Sequence, residues 1–193
     1  MSENIMIRAR DIHQRNVTAG WWSDLKSGKS ILLTRNRTEM LMLTVSELSE
    51  ANEAEKRGAK DDKLTQHDGL IVELGDAVIR QLDLIGAEES IHGEIDTAPE
   101  FLSSLIDEYF ENVHTLMDVV DTVSAAMEFY RKGRIQQYRG QLFVIVASIF
   151  VYAEQCGYDE AEFWAIIDDK LAYNANREDH KIENRQRPDG KQF

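Results

Sequence analysis

The sequence predicts an all-α fold, and three observations carry that prediction. Only two prolines, Pro99 and Pro188, occur in 193 residues, and the stretch between them holds few helix breakers. Long segments rich in Leu, Ala, Glu and Ile repeat their apolar residues at helical spacing. Polar and glycine-containing stretches such as KDDKLTQHDG and HGEIDTAPE separate those segments as loops. The length suits one domain spanning 1–193, with room for a sizeable core and for an internal duplication.

The elements follow in order. A first helix is expected from about Ile5 to Ser23, ending near the Gly20-Trp21-Trp22 turn. A Gly/Ser/Lys loop follows, around Lys26 to Ser30. Thr34 or Asn36 caps a second helix, which runs through Leu43 and Glu50 to a stop at Gly58. A third is expected from about Leu70 to Gly86. After the proline-marked start at Pro99, one long helix is expected over Phe101 to Lys132, and another over Ile135 to Gly157. Asp159 caps a last helix to about Arg177, and the tail ENRQRPDGKQF reads as polar and irregular.

Charge and composition narrow the function. A net charge of −13 disfavours a nucleic-acid polymer, whose phosphates need a basic surface. It leaves room for a nucleotide bound through metal ions. The single Cys156 allows no internal disulfide and fits a reducing, cytoplasmic compartment, of a cell or of an infected host cell. The opening MSENIMIRARD is not expected to act as a signal peptide. The most apolar run, Leu142 to Ala153, is too short for a membrane span and reads as a buried helix, with Cys156 an inert core thiol nearby. Five histidines form no H-E-x-x-H pattern, and no P-loop or G-x-G-x-x-G is present.

Two acidic motifs stand out. Glu47-Leu-Ser-Glu50 and Glu73-Leu-Gly-Asp76 each place two carboxylates three residues apart, on one helix face. Met40, Leu43, Glu47, Glu50, Ala51 and Ala54 share a stripe, so these glutamates lie in line with apolar residues. The later helix is apolar almost all round, yet Glu73, Asp76, Arg80 and Asp83 run down one narrow stripe. A hairpin uniting the two faces gathers four carboxylates, which need counter-charge. Hard divalent cations supply it through oxygen ligands. Chemistry alone leaves the choice open between a lined metal site and a solvated edge. A faint internal repeat accompanies the motifs: Val45 to Glu53 aligns with Val120 to Glu128, and Gly86 with Gly157. Thr122, Ala125, Val144 and Ala147 then stand where the four carboxylates do. Shared amphipathic composition explains the likeness equally well.

These residues resemble the MazG-like nucleoside triphosphate pyrophosphohydrolases, the all-α superfamily that includes the dimeric dUTPases. The family pattern is E-x-x-E, a variable gap, then E-x-x-D, matched here by Glu47, Glu50, Glu73 and Asp76. Gly20-Trp21-Trp22 is similar to the KGWW segment of short, phage-type members, with Ala19 in place of the lysine. Ile79-Arg80-Gln81-Leu82-Asp83 resembles their I-R-x-L-D, and Lys170, Asn174 and Arg177 fit their K-x-x-x-N-x-x-R helix. The ending Gly190-Lys191-Gln192-Phe193 is close to their G-K-K-F. The resemblance covers the first half and the last thirty or so residues; it is weak over about 96–157.

The resemblance implies a helical bundle of the MazG and dimeric-dUTPase type. A catalytic hairpin would occupy about 35–86, a degenerate second hairpin about 100–157, and a C-terminal helix and tail 159–193. It implies metal-dependent hydrolysis of a (d)NTP to (d)NMP and pyrophosphate, in nucleotide-pool control. Two or three Mg²⁺ or Mn²⁺ ions would sit among Glu47, Glu50, Glu73 and Asp76, with Glu50 or Glu47 as proton acceptor. Asp83 either binds a further ion or fixes Arg80. Lys170, Arg177 and Arg80 suit phosphate oxygens. Asn174, Asn16 and the tryptophans suit base or sugar, one of Trp21 and Trp22 packing and the other lining the pocket. The residues do not specify the base; dGTP or dATP is slightly favoured over dUTP or dCTP. A homodimer or homotetramer is expected, with no membrane partner. The alternatives are a dUTP- or dCTP-specific enzyme of the dimeric-dUTPase kind and a non-enzymatic acidic helical module.

Overall fold

A computed structural model describes residues 5–95, 97–98, 100–187 and 189–191. Pro99 and Pro188, singled out above as helix punctuation, lie outside the described residues. The described chain is helical, with no strands and only two isolated β-bridges, Ser23 with Ser30 and Lys60 with Asp68. Its helices are α1 (Ile5–Thr18), α2 (Arg37–Arg57), α3 (Gly69–His92), α4 (Phe101–Tyr109), α5 (Leu116–Arg131), α6 (Ile135–Gln155), α7 (Glu160–Ala175) and the short α8 (Ile182–Arg185). No single helix among the described residues is long and apolar enough to cross a membrane.

The nearly all-apolar α3 is the hub. Ile71, Val72, Leu74, Ala77, Val78, Leu82, Leu84 and Ile85 are fully buried, and α1, α2, α6 and α7 all pack on it. Such a helix cannot sit at a surface without exposing a wide apolar face. α5 pairs with α6 as α2 pairs with α3, and the two hairpins meet through α2 against α5 and α3 against α6.

The caps explain most of the ends. Asn36 accepts from the Thr38 and Glu39 amides to start α2, and Gly58, at φ 58°, ends it. Asp159 forms a capping box with Glu162 at the start of α7. α1 ends at Thr18, short of the expected Ser23, because Gly20 turns the chain at φ 78°.

Three further expectations are corrected. α3 runs through Gly86 to His92. Gly86 is not a stop: a Cβ there would lie 2.5 Å from His13 Cβ and 2.7 Å from the Ala9 carbonyl. The glycine lets α1 approach α3. The single long helix over Phe101 to Lys132 is instead α4, a 3₁₀ turn (Phe110–Asn112) and α5. The break has a local cause, since Thr115 and Asp118 form a capping box that starts α5 afresh. Finally, the described tail is not irregular throughout: a 3₁₀ turn (Glu178–His180) and α8 lie against the Gly20–Trp21 turn, with Ile182 and Arg185 side chains within 4 Å of where a Gly20 Cβ would be.

Candidate functional site

α2 and α3 present their acidic stripes to one another. Glu47, Glu73 and Asp76 each offer an oxygen, and these oxygens lie within 4.8 Å of one another. Glu47 is buried, and the other two are half-buried. Like charges this close, with water partly excluded, resist ionisation. Burial first, then the neighbouring Asp76, pushes the Glu73 carboxyl up to about 8. Burial also raises Glu47, against the pull of Arg80.

Two cations balance the trio. Arg80 Nε donates to Glu47 Oε1 at 2.6 Å. Lys170 Nζ, brought in by α7, stands 2.8 Å from Asp76 Oδ2. Burial works to lower the Lys170 pKa, but Asp76 outweighs it and the ammonium is held charged above its ordinary range. All the converging acceptors are carboxylate oxygens, a donor set that could hold a hard divalent cation.

Glu50 lies one turn along α2. It lines the same cleft but stays exposed and outside the converging trio. Asp83 departs further from expectation. It is buried at the cleft wall, and its Oδ1 takes two hydrogen bonds, from Trp22 Nε1 at 2.8 Å and with His13 Nδ1 at 2.8 Å. It neither joins the trio nor pairs with Arg80, which turns to Glu47 instead. Trp22, expected as one candidate for base contact, is 2% exposed and sits in the core. Its ring is committed to His13 edge-on at 5.1 Å. Trp21 is the tryptophan that lines the pocket.

The cleft has a volume of about 460 Å³. It brings together the acidic trio, Glu50, Arg80, Asp83, Lys170, Asn174, Arg177, Asn16 and Trp21. A second, mostly apolar lobe of about 660 Å³ adjoins it, and Asn16, Trp21, Asn174 and Arg177 line both. Asn174 Oδ1 is buried without a hydrogen-bond partner among the described residues. Arg177 lies just past the end of α7 and is held by Asp179 at 2.6 Å, which raises its pKa. Lys191, from the sequence's final motif, also lines the cleft; Gln192 and Phe193 lie outside the described residues.

Comparison with protein-family models, with curated proteins and with solved structures finds no match. The site therefore rests on its own residues and their geometry.

Several cleft residues had no role in the sequence reading. Arg35, Asp61, Lys63 and His180 all line it. His13 was findable, because it falls on the same α1 face as the buried Met6 and Ala9. Asp61 is partly explained by its loop: it accepts the Lys63 amide at 2.9 Å and the Leu64 amide at 2.5 Å. His180 carries no local signal, since only the fold of the tail brings it to Trp21.

Proposed function

We propose that this chain is a MazG-like nucleoside triphosphate pyrophosphohydrolase, hydrolysing a (d)NTP to (d)NMP and pyrophosphate with Mg²⁺ or Mn²⁺. One observation carries the reading: three carboxylates from two helices converge within 4.8 Å in a cleft that also holds Lys170, Arg177 and Arg80. Acids for metal ions beside cations for phosphate are what a triphosphate demands of an acidic protein.

The donor set fits Mg²⁺ or Mn²⁺, which Glu47, Glu73 and Asp76 would hold. The metal's contribution there is to neutralise triphosphate charge and to activate water. The chain's own residues do the rest. Glu50 has no hydrogen-bond or ion-pair partner among the described residues, so it is free to accept the proton of the attacking water. One water adds across the α–β anhydride: its oxygen bonds to phosphorus, the bridging P–O bond breaks, and pyrophosphate leaves. Lys170 and Arg80 pair with Asp76 and Glu47, and they are the cleft cations that would bind phosphate oxygens. Arg177 offers a guanidinium fork from the end of α7. The adjoining apolar lobe, of a size common for small-molecule sites, takes the base against Trp21 and Asn174.

The test is a panel of all common NTPs and dNTPs with Mg²⁺ or Mn²⁺ and an EDTA control, resolving pyrophosphate from orthophosphate. Metal-dependent pyrophosphate release with the matching monophosphate supports the reading and names the base. Orthophosphate as the first product, or activity indifferent to EDTA, refutes it.

A further inference from the structure

Three residues from outside the acidic helices converge on Trp21. The Arg185 guanidinium lies over the indole, 3.5 Å from the ring centroid. His180 meets it edge-on at 5.2 Å and 89°. Arg35, from the loop before α2, donates to the Trp21 carbonyl. Despite these contacts Trp21 is only half-buried, and it lines both the cleft and the apolar lobe. A tryptophan gripped so closely yet still open to two cavities is more than core filler.

Arg185 itself is 1% exposed and forms no ion pair with a carboxylate among the described residues. Its NH1 donates to the Ala19 carbonyl and its Nε to the Lys191 carbonyl, each at 3.3 Å. Burying a guanidinium without an anion is costly, and the indole face and two carbonyls are what offset it. The rest of the tail is seated with equal care. Ile182 packs so tightly on Gly20 that a Cβ there would come within 2.9 Å of its Cδ1. Gln186 Nε2 reaches the Leu25 carbonyl at 2.8 Å. Across the same two cavities stands the unpartnered Asn174 Oδ1, an acceptor suited to a ring N–H or an exocyclic amine.

We propose that residues 178–187 build the base-side wall of the cleft, with Arg185 as the positioning residue that fixes the Trp21 ring against which the nucleobase stacks. The stacking half of this proposal rests on the nucleotide reading above. The positioning half does not. Arg185 occupies one face of the ring and His180 one edge, so the indole has little freedom and presents a set surface to the cavities. Base–aromatic stacking is tolerant of base identity, so the clamp governs affinity, and the Asn174 amide supplies the polar discrimination.

The experiment uses the full-length chain. Arg185→Met keeps the length of the stem and removes the charge; Arg185→Lys keeps the charge and loses the planar fork. Acrylamide quenching of tryptophan fluorescence reads Trp21, with Trp21→Phe as the baseline, because Trp22 and Trp164 are buried. Arg185→Met is expected to increase quenching. It should also raise KM for the nucleotide about tenfold, because the base then stacks on a ring no longer held in place, with kcat changed less than about twofold. Arg185→Lys should recover most of both. Should Arg185→Met fail to fold, Ile182→Ala loosens the same seat at a half-exposed position and is expected to move quenching and KM in the same direction. Unchanged quenching with unchanged KM overturns the proposal, as does a loss confined to kcat. If the wild-type chain hydrolyses no nucleotide, the pyrophosphohydrolase reading falls separately. Quenching then decides the clamp: an increase in Arg185→Met upholds it, and no change overturns it.

Discussion

Glu50 and Glu73 sit one turn from their motif partners, yet the folded chain treats them differently. Glu50 is exposed and unpaired among the described residues, while Glu73 shares a tight, half-buried space with Glu47 and Asp76. Glu50→Gln should therefore lower turnover by roughly 10²–10⁴, the range of a lost general base, with an unchanged circular dichroism spectrum. Full activity in that variant would remove Glu50 from the mechanism. Glu73 yields a stability prediction. Its carboxyl, ordinarily near 4.5, stands at about 8 in the folded chain. Between those values the folded state keeps a proton that the unfolded state has released, so this contribution is lost as pH rises through the window. His180, held down at about 4 by burial and Arg177, works in the opposite sense below about 6.5. The clean comparison is therefore pH 7 against pH 8.5, in EDTA. The thermal midpoint should fall over that interval, and Glu73→Gln should flatten the fall. A slope that survives the substitution would assign it to another group.

At the scale of the element, Gly86 separates helix propensity from packing. Propensity favours Ala over Gly inside a helix by about 1 kcal/mol. Here a methyl would meet His13 Cβ at 2.5 Å and the Ala9 carbonyl at 2.7 Å. The backbone of α1 cannot yield as a flexible side chain would, and overpacking typically costs 1–3 kcal/mol. Gly86→Ala should thus destabilise the chain in urea unfolding, and a gain in stability would mean that α1 shifts freely. The α5–α6 hairpin gives a second test. Its Asp121 is exposed, and Glu128 pairs, among the described residues, only with the local Arg131 and Lys132. Asp121→Asn and Glu128→Gln should each leave turnover within about twofold and stability within about 0.5 kcal/mol. A direct loss of activity from either would show that this hairpin takes part in the chemistry.

For the whole molecule, the proposed metal site predicts that folding responds to metal. A cation that binds only the folded state at a hundredfold excess over its Kd adds about 2.7 kcal/mol. In a chain of this size each kcal/mol moves the midpoint by roughly 2–4 °C. Mn²⁺ should therefore raise the thermal midpoint by several degrees, and Asp76→Asn should abolish most of the rise. An unaltered midpoint would favour the acidic interaction module over the enzyme.

Much of this was legible locally. Helical periodicity, the caps at Asn36 and Asp159, and the apolar girth of α3 made the all-α class and the place of its hub helix readable from the chain. The Thr115-to-Asp118 box was equally visible, although periodicity over Phe101 to Lys132 concealed the break beside it. The spacing within Glu47–Glu50 and Glu73–Asp76 set which carboxylates share a helix face, because the helical repeat alone determines that. What the chain could not decide by itself were the pairings between elements. Glu50 stays outside the trio, Asp83 is given to His13 and Trp22, and the polar tail closes on Trp21. Each depends on where separate helices pack. Gly86 shows why: read along the chain it resembles a helix end, and only the approach of α1 turns it into a contact.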